Sequence, residues 1–409
     1  MKSTLSYPKN KIHVLLLENI DTLAQKQLQS EGYSVETLSS AISEEELAVK
    51  IQTISILGIR SKTQITKQVI KASKRLLAIG AFCIGTNQID IATSASIGIP
   101  VFNAPYSNTR SVVELILGEI IALSRKVFDR SFALHHGTWL KSSSGCHELR
   151  GKKLGIIGYG NIGSQLSVLA ENLGMEVYYY DTSDKLSLGN AHSCKDMQEV
   201  FKQADIVTIH VDGRKENKNL IGKKEFALMK KGALFLNASR GFVVDIEALA
   251  NTVKSNRIAG CAIDVFPTEP KGNGSGFISP LQGLPNVILT PHIGAGTIEA
   301  QQNIARYVSA KLIKFVNTGS TTLSVNFPEI QLSEVHNVHR LIHIHKNIPG
   351  VLAKINNILA KNHINIESQY LKTNDYVGYV ITDVNKKYSK NVINQLKEME
   401  DTIRLRVLY

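Results

Sequence analysis

The chain has 409 residues, of which 43% are hydrophobic and 20% are charged, and its formal net charge is +12. This length is enough for two or three domains, and the composition excludes a disordered or fibrous protein. The 47 Lys and Arg residues are scattered without a long basic tract, so the charge gives little support to a nucleic-acid-binding protein.

Other common classes of protein also lack a signal in this sequence. No apolar run approaches the length that a bilayer crossing requires, and the polar residues 1–11 argue against a signal peptide. The four cysteines are far apart and form no Cys-x-x-Cys pattern, so we expect neither a metal site nor a disulfide. This cysteine usage favours the reducing cytoplasm.

In the first hundred residues, short β-branched segments alternate with helical ones. The predicted strands are residues 11–18, 54–59, 76–82 and 100–103, and Asp21 is a predicted cap of a helix that stops at Gly32. This alternation predicts a parallel sheet with helices on both faces. An apolar helix over residues 111–124 then leads to the next domain.

A glycine-rich turn follows the predicted strand 153–157 and precedes a predicted helix over 164–173. Gly158 allows a tight turn, Gly160 lets the backbone approach a pyrophosphate, and Gly163 lets the helix pack close to the strand. The helix N-terminus offers its N–H groups to the phosphates. The motif predicts a dinucleotide-binding site.

The next strand, residues 176–180, ends in Asp181. Its carboxylate can accept hydrogen bonds from both ribose hydroxyls and would repel a 2′-phosphate, so the sequence favours NAD over NADP. Four more strands are predicted at 206–210, 233–236, 260–264 and 287–289. The resulting six strands are the number that a dinucleotide-binding fold needs.

The last part of the chain contains a predicted helix (297–315), a linker (317–322) and a separate unit of about seventy residues. The elements of this unit are predicted at 340–345, 349–361, 365–371, 376–384, 390–398 and 404–408. They form the order βαββαβ of a ferredoxin-like fold. A unit of this size favours a binding or regulatory role over a second catalytic one.

Several short motifs follow one another along the chain: Arg60-Ser61, Ile84-Gly85-Thr86-Asn87, Asn103-Ala104-Pro105, 107–111, 158–163, 237–241, 262–266 and Thr290-Pro291-His292-Ile293-Gly294. Together they resemble the D-isomer-specific 2-hydroxyacid dehydrogenases, and the C-terminal unit resembles an ACT domain. The resemblance implies an α/β fold in which a Rossmann-type nucleotide domain (109–296) is inserted in a flavodoxin-like substrate domain (1–108 and 297–330). A ferredoxin-like ACT domain would follow over 338–409.

The same resemblance implies NAD as cofactor and the reversible oxidation of 3-phospho-D-glycerate as the reaction. It also implies L-serine as a feedback effector and a homotetramer built through the nucleotide and ACT domains. The alternatives are a related activity such as the reduction of 2-oxoglutarate, and a non-enzymatic NAD-sensing protein. The presence of Arg240, Glu269 and His292 favours an enzyme.

Oxidation of a 2-hydroxy acid needs a base for the hydroxyl proton and a cation for the carboxylate. His292 is the candidate base, because it follows the 287–289 strand and imidazole titrates near neutrality. Glu269 is the candidate partner that orients the ring and raises its pKa. Arg240, after the 233–236 strand, can hold a carboxylate in a bidentate grip.

The resemblance assigns the remaining roles. The implied cofactor contacts are Gly158, Gly160, Asn161, Ile162, Gly163, Asp181, Ala238, Ser239, Arg240, Asp264, His292 and Gly294, with Asp264 near the nicotinamide ribose or carboxamide. The implied substrate contacts are Arg60, Ser61, Lys62, Ile84, Gly85, Asn108 and Lys141. Lys62 stands where relatives often have a second arginine, so it offers a point charge rather than a fork.

The implied serine contacts in the ACT domain are His345, Asn347 and Asn365. A dimerising lobe without a ligand is the alternative interpretation of this domain. Relatives that respond to serine often carry a Gly-Gly pair where this chain reads Val335-His336-Asn337-Val338, and a second glycine where it has Ala295. Both differences stiffen presumed hinges on which the strength of serine feedback would depend.

Overall fold

The structure is a computed structural model that describes residues 8–270, 272–333, 339–385 and 389–408. The contacts divide the described chain into two compact units. One unit is Tyr106–Ala300, and the other combines the chain before Tyr106 with the chain after Ala300. The hinge-like stretch 335–338 lies outside the described residues, so the expectation about its stiffness stays a prediction.

The unit that contains the chain before Tyr106 has a five-stranded parallel sheet in the order β2-β1-β3-β4-β5, which is the flavodoxin-like order. Its strands are β1 (His13–Leu16), β2 (Ser34–Thr37), β3 (Ile56–Ile59), β4 (Ala78–Ala81) and β5 (Val101–Phe102). Its first helices are α1 (Thr22–Ser30), α2 (Glu44–Lys50), α3 (Lys67–Ala72) and α4 (Ile91–Ser96). Side chains that accept N–H bonds cap all four helices, as at Asp21 and Asp90.

The second unit has seven parallel strands in the order β12-β11-β10-β9-β6-β7-β8. These are β6 (Lys153–Ile157), β7 (Glu176–Tyr180), β8 (Ala191–Ser193), β9 (Ile206–Ile209), β10 (Ala233–Asn237), β11 (Ile258–Ile263) and β12 (Val287–Leu289). Its helices are α5 (Thr109–Arg125), α6 (Val127–His135), α7 (Asn161–Asn172), α8 (Met197–Gln203), α9 (Lys223–Leu228) and α10 (Ile246–Lys254). Strands β6 to β11 have the order of a Rossmann fold, and β12 is an additional strand at one edge.

Two details of this unit differ from the sequence-based expectation. The sheet has seven strands rather than six, because the short, largely exposed segment β8 joins the edge of the sheet beside β7. Helix α7 begins at Asn161 rather than at residue 164. Gly163 therefore lies within its first turn, where it is buried. Two apolar clusters, one on each face of the sheet, enclose the strands.

Helix α11 (Ile298–Thr318) follows the nucleotide unit. Its residues Ile304, Val308, Leu312 and Phe315 belong to the same buried cluster as Val14 of β1 and other residues of the five-stranded sheet. The segment predicted as a linker begins inside this helix and is buried, with Ser320 2% and Thr321 0% exposed. Polar composition misled the prediction here, because these hydroxyl groups donate to backbone carbonyls.

The C-terminal elements are β13 (His339–His345), α12 (Val351–Lys361), β14 (Ile366–Thr373), β15 (Gly378–Val384), α13 (Lys390–Lys397) and β16 (Thr402–Leu408). They confirm the predicted βαββαβ order, and the strands form an antiparallel sheet in the order β14-β15-β13-β16. A buried pair of hydrogen bonds joins Arg340 to Asp383 across β13 and β15, at 2.7 and 2.8 Å. No helix in the described ranges has both the length and the apolar character needed to cross a bilayer.

Candidate active site

The turn between β6 and α7 is shaped by three glycines. A Cβ atom on Gly158, whose φ is +95°, would lie 2.5 Å from a carbonyl oxygen that follows β9, and one on Gly163 would lie 2.3 Å from the carbonyl oxygen of Gly158. By contrast, apart from Gly160 itself and its two chain neighbours, no described residue has a heavy atom within 4 Å of a Cβ placed on Gly160. The strand and helix thus meet closely, and the backbone at the start of α7 borders open space that suits a pyrophosphate.

Asp181 follows β7 beside this turn. One carboxylate oxygen accepts the Tyr159 N–H at 2.8 Å, and the other accepts the N–H and hydroxyl of Ser183, both at 3.0 Å. Burial raises the pKa of Asp181, but the hydrogen bonds from Ser183 and Tyr159 together bring this pKa below its ordinary value. Asp181 is therefore a fixed negative charge at neutral pH, which attracts hydroxyl groups and repels phosphate.

Three neighbouring parallel strands, β10, β11 and β12, present charged side chains where each strand ends. Arg240 follows β10, Asp264 and Glu269 follow β11, and His292 follows β12. Because the carboxyl ends of parallel strands lie at one edge of the sheet, residues that are far apart in sequence come together here.

His292 and Glu269 form a direct pair, with 2.8 Å between Nδ1 and the Glu269 carboxylate. The side chains are 52% and 35% exposed, so both remain accessible to a ligand. The hydrogen bond that His292 donates to Glu269 raises the pKa of His292 against the opposing effect of burial. Burial raises the pKa of Glu269, but its bonds to His292 and to the Phe266 N–H lower it below the ordinary value. The pair can therefore hold a proton on the imidazole more firmly than an isolated histidine does, as a general base needs.

Arg240 lies in a loop that is fixed by its own neighbours. Its guanidinium donates to the Ser239 carbonyl at 2.7 Å, and its carbonyl accepts from the Asn237 amide at 3.1 Å. A Cβ on the next residue, Gly241, would lie 2.0 Å from the backbone of Phe266. This close approach brings the loop after β10 against the loop that carries Glu269, and the charge of Arg240 contributes to lowering the pKa of Glu269.

Asp264 is 1% exposed, and protein donors surround its carboxylate. One oxygen accepts from the Thr290 hydroxyl at 2.7 Å and the Ile293 N–H at 2.8 Å, and the other from the Gly294 N–H at 2.9 Å. Its backbone carbonyl also accepts the His292 N–H at 2.8 Å. Asp264 thereby holds the loop of His292, which has the left-handed φ of +55°.

Two further residues named from the sequence lie elsewhere in this unit. Asn108 precedes α5 and is 6% exposed, and its side-chain oxygen has no partner among the described residues. A buried acceptor without a partner is costly, so this oxygen suits a ligand donor. Lys141 is exposed on the loop after α6, near the 76%-exposed Trp139, and no bond within the described chain joins it to the His292 loop.

In the other unit, the candidate substrate residues lie in loops after β3 and β4. Arg60, Ser61 and Lys62 follow β3, and Ile84 and Gly85 follow β4. Three residues that the sequence did not mark as site residues hold these loops: Glu18, Gln88 and Asn103. Asn103 donates to the Ile84 carbonyl at 2.6 Å.

The C-terminal βαββαβ unit contains a cavity of about 340 Å³ whose lining includes His345, Asn347, Gly350 and Thr373. His345 Nδ1 is 2.7 Å from the Lys346 carbonyl, while its buried Nε2 has no partner among the described residues. Asn347 donates to the Asn374 carbonyl at 2.9 Å. These side chains can offer an acceptor and a donor to an amino acid.

Two features of this cavity were not expected from the sequence. Asn365 is exposed before β14 and does not line the cavity, whereas Leu371 and Thr373 of β14 do. Gly378 pairs with His345 across the sheet, and a Cβ on it would lie 2.1 Å from the imidazole ring. The glycine therefore provides the space in which the ring lies.

Comparisons with known proteins agree with this architecture. Residues 117–294 match the family described as D-isomer specific 2-hydroxyacid dehydrogenase, NAD binding domain, and residues 341–404 match the AHAS small subunit-like ACT domain. The TT0316 protein from Thermus thermophilus superposes with a TM-score of 0.68 at 27% identity, covering 75% of this chain and 97% of that one. A D-2-hydroxyisocaproate dehydrogenase, at 23% identity and a TM-score of 0.68, shares the fold over 77% of this chain and 100% of its own.

Several relatives match along nearly the whole chain, and two of them serve as examples. The D-3-phosphoglycerate dehydrogenase of Dictyostelium discoideum is 50% identical over 409 residues, which is 100% of both chains. The enzyme of the same name from Escherichia coli K12 is 48% identical over 408 residues, or 99% of both chains. The chain therefore belongs to the D-3-phosphoglycerate dehydrogenase family of the D-isomer-specific 2-hydroxyacid dehydrogenases, with an NAD-binding domain and a C-terminal ACT domain.

Proposed function

We propose that this protein catalyses the reversible oxidation of 3-phospho-D-glycerate to 3-phosphooxypyruvate with NAD, the first step of L-serine biosynthesis. The observation that carries the proposal is the His292–Glu269 pair at 2.8 Å, which lies beside Arg240 at the ends of three neighbouring strands. His292 supplies the base and Arg240 supplies the cation that the oxidation of a 2-hydroxy acid requires. Family membership supports the choice of substrate.

NAD suits the residues of the nucleotide turn. The backbone of Gly158, Gly160, Asn161, Ile162 and Gly163 would hold the pyrophosphate, and Asp181 would accept the ribose hydroxyls. Around the nicotinamide we place Ala238, Ser239, Arg240, Asp264, His292 and Gly294. When bound, NAD accepts the hydride from the carbinol carbon of the substrate.

The protein side of the reaction is a proton transfer beside a fixed cation. His292 accepts the hydroxyl proton at Nε2, because Nδ1 is already bonded to Glu269. The carboxylate of Glu269 stabilises the imidazolium that forms. Arg240 holds the substrate carboxylate and stabilises the developing carbonyl oxygen. In the reverse direction, the protonated imidazole returns the proton.

The substrate also carries a phosphate group. We assign its recognition to the cations Arg60 and Lys62 and to the Ser61 hydroxyl, with Lys141 as a further cation. The N–H groups of Ile84 and Gly85 would bind the carboxylate, and Asn108 is a further proposed substrate contact. The buried side-chain oxygen of Asn108 lacks a partner among the described residues and can accept a hydrogen bond from a hydroxyl group of the substrate.

The ACT cavity is the proposed site for an amino-acid effector, and L-serine is the effector we expect. His345 and Asn347 line the cavity and can bind the ammonium, carboxylate or hydroxyl of serine. Asn365, which is exposed and does not line the cavity, is left out of this proposal. The 340 Å³ volume and the few polar groups are suitable for a small amino acid.

We further propose a homotetramer located in the cytoplasm. Large apolar side chains are exposed on α6 and the following loop, with Phe128 57%, Phe132 67% and Trp139 76% exposed. Patches of this kind are typical of subunit interfaces. Four cysteines without disulfide bonds are consistent with a reducing compartment.

The decisive experiment measures NADH formation with 3-phosphoglycerate, with and without L-serine, and NADH consumption with 2-oxoglutarate. We expect turnover of 3-phosphoglycerate that depends on Arg240 and His292, and inhibition by serine. A kcat/KM that is higher for 2-oxoglutarate than for 3-phosphoglycerate and 3-phosphooxypyruvate would favour a dehydrogenase that reduces 2-oxoglutarate. Absence of turnover with every substrate, together with NAD binding, would favour the NAD-sensing protein.

A further inference from the structure

A buried carboxylate lies beneath the loop that carries the proposed phosphate-binding residues. Glu18, just after β1, is 7% exposed. Its carboxylate accepts three backbone N–H groups of this loop: those of Arg60 at 3.2 Å, Lys62 at 2.9 Å and Thr63 at 2.8 Å. The acid thus binds the backbone of a loop whose side chains are cationic, and it fixes that backbone at three points.

A second buried side chain holds the same loop from its carbonyl side. The amide nitrogen of Gln88, a residue that is 8% exposed, donates to the Arg60 carbonyl at 2.6 Å and to the Gly85 carbonyl at 3.2 Å. Arg60 is therefore held at its N–H by Glu18 and at its carbonyl by Gln88. Because Gln88 also bonds Gly85, the loops after β3 and β4 form one hydrogen-bonded assembly.

The backbone at Glu18 indicates that the position of its side chain matters. Glu18 and Asn19 have left-handed φ values of +64° and +52°. Glycine adopts this conformation without strain, but glycine has no carboxylate to offer the loop. A residue that is strained and also buried, with its polar atoms used at a candidate site, is typical of a functional constraint.

We propose that Glu18 and Gln88 are positioning residues for the phosphate group of the substrate, an inference that rests on the proposed function. The N–H groups of Arg60, Lys62 and Thr63 point to Glu18, so this part of the loop offers a ligand its side chains rather than its amides. Ser61 and Lys62 are exposed accordingly. A fixed backbone reduces the ordering that long cationic side chains undergo when they bind a dianion.

The test compares substrates with and without the phosphate. In Glu18→Gln, one acceptor oxygen is replaced by an NH₂ group that faces backbone donors. We expect the KM for 3-phosphoglycerate to rise about 10- to 100-fold, the loss expected for hydrogen bonds to a charged group. The kcat/KM for D-glycerate, which lacks the phosphate, and the dissociation constant of NAD should stay unchanged. Gln88→Leu should also raise the KM for 3-phosphoglycerate, with a smaller loss for D-glycerate because Gln88 holds Gly85 as well as Arg60.

Asp21→Asn is the matched control, because it removes one negative charge from the same unit. Asp21 caps α1 and does not bond to the 60–63 loop. Melting curves report whether each variant folds; if Glu18→Gln does not, Gln88→Leu alone decides. An unchanged KM for 3-phosphoglycerate in the folded variants, or an equal loss with D-glycerate, would overturn the inference. A wild-type protein without 3-phosphoglycerate turnover would instead refute the proposed function.

Discussion

Replacement of Glu269 by Gln isolates the electrostatic part of the His292–Glu269 pair. The substitution preserves the size of the side chain but removes the charge that lies 2.8 Å from Nδ1 of the imidazole. The carboxylate stabilises the imidazolium that forms when His292 accepts the hydroxyl proton. A hydrogen bond to a charged group contributes about 1.5–3 kcal/mol. The partial exposure of both side chains places this pair toward the lower end of that range.

This lower part of the range predicts that kcat for 3-phosphoglycerate oxidation falls about 10- to 30-fold in Glu269→Gln. The pH profile should change as well. Glu269 raises the pKa of His292, and oxidation needs the neutral imidazole, so the rate of the wild-type protein rises with pH through that elevated pKa. Without the carboxylate the rise should move to lower pH. For the reverse reaction, which needs the imidazolium, the fall with increasing pH should also begin earlier.

The assay is steady-state NADH formation and consumption across the pH range, with saturating NAD or NADH. Glu247→Gln is the matched control, because it removes an exposed carboxylate from the first turn of α10 in the same unit. If Glu269→Gln kept its kcat within about twofold and its profile coincided with that of the control, the pair would not tune the base.

Substitutions at three other residues test the remaining parts of the proposed function. Arg240→Ala should lower kcat about 100- to 1,000-fold, because the substrate carboxylate and the developing oxyanion lose their cation. Arg240→Lys should recover only part of the lost activity. A near-normal rate of Arg240→Ala in initial-velocity assays would refute the role of Arg240. Asp181→Ala should raise the KM for NAD about tenfold, since the ribose hydroxyls lose an acceptor. The rate with NADP should increase, because the carboxylate that repels the 2′-phosphate is removed. An unchanged NAD-to-NADP ratio of kcat/KM would contradict this prediction. Asn347→Ala should abolish serine inhibition while the activity without serine is retained, and calorimetry that detects no serine binding to the wild-type protein would exclude the effector site.

The sequence predicted the fold where local chemistry determines it. The run 153–163 combines an apolar strand with glycines, of which Gly158 and Gly163 admit no side chain, so its strand–turn–helix structure follows from the residues themselves. The C-terminal βαββαβ order also followed from the hydrophobic pattern. Strand β8 was missed because only one of its three residues is buried, which leaves no apolar pattern to detect.

The parts of the site that the sequence did not reveal depend on contacts between distant residues. Glu18 bonds to N–H groups more than forty positions away, and a lone acid after a strand gives no sign of such partners. Gly241 is explained only by the backbone of Phe266, which the fold brings within 2.0 Å of its Cβ position. Asp264 was placed beside the nicotinamide by resemblance, whereas its bonds to the His292 loop became apparent only in three dimensions.

Strand β12 is three residues long and lies at the edge of its sheet, yet it positions His292. Short edge strands open more readily than central ones, so the loop after β12 depends on the bonds that Asp264 makes to Ile293 and Gly294. Transient opening of this edge would displace the imidazole while the rest of the sheet stayed folded. Amide hydrogen exchange at these two residues should therefore report the fraction of molecules that are competent for catalysis.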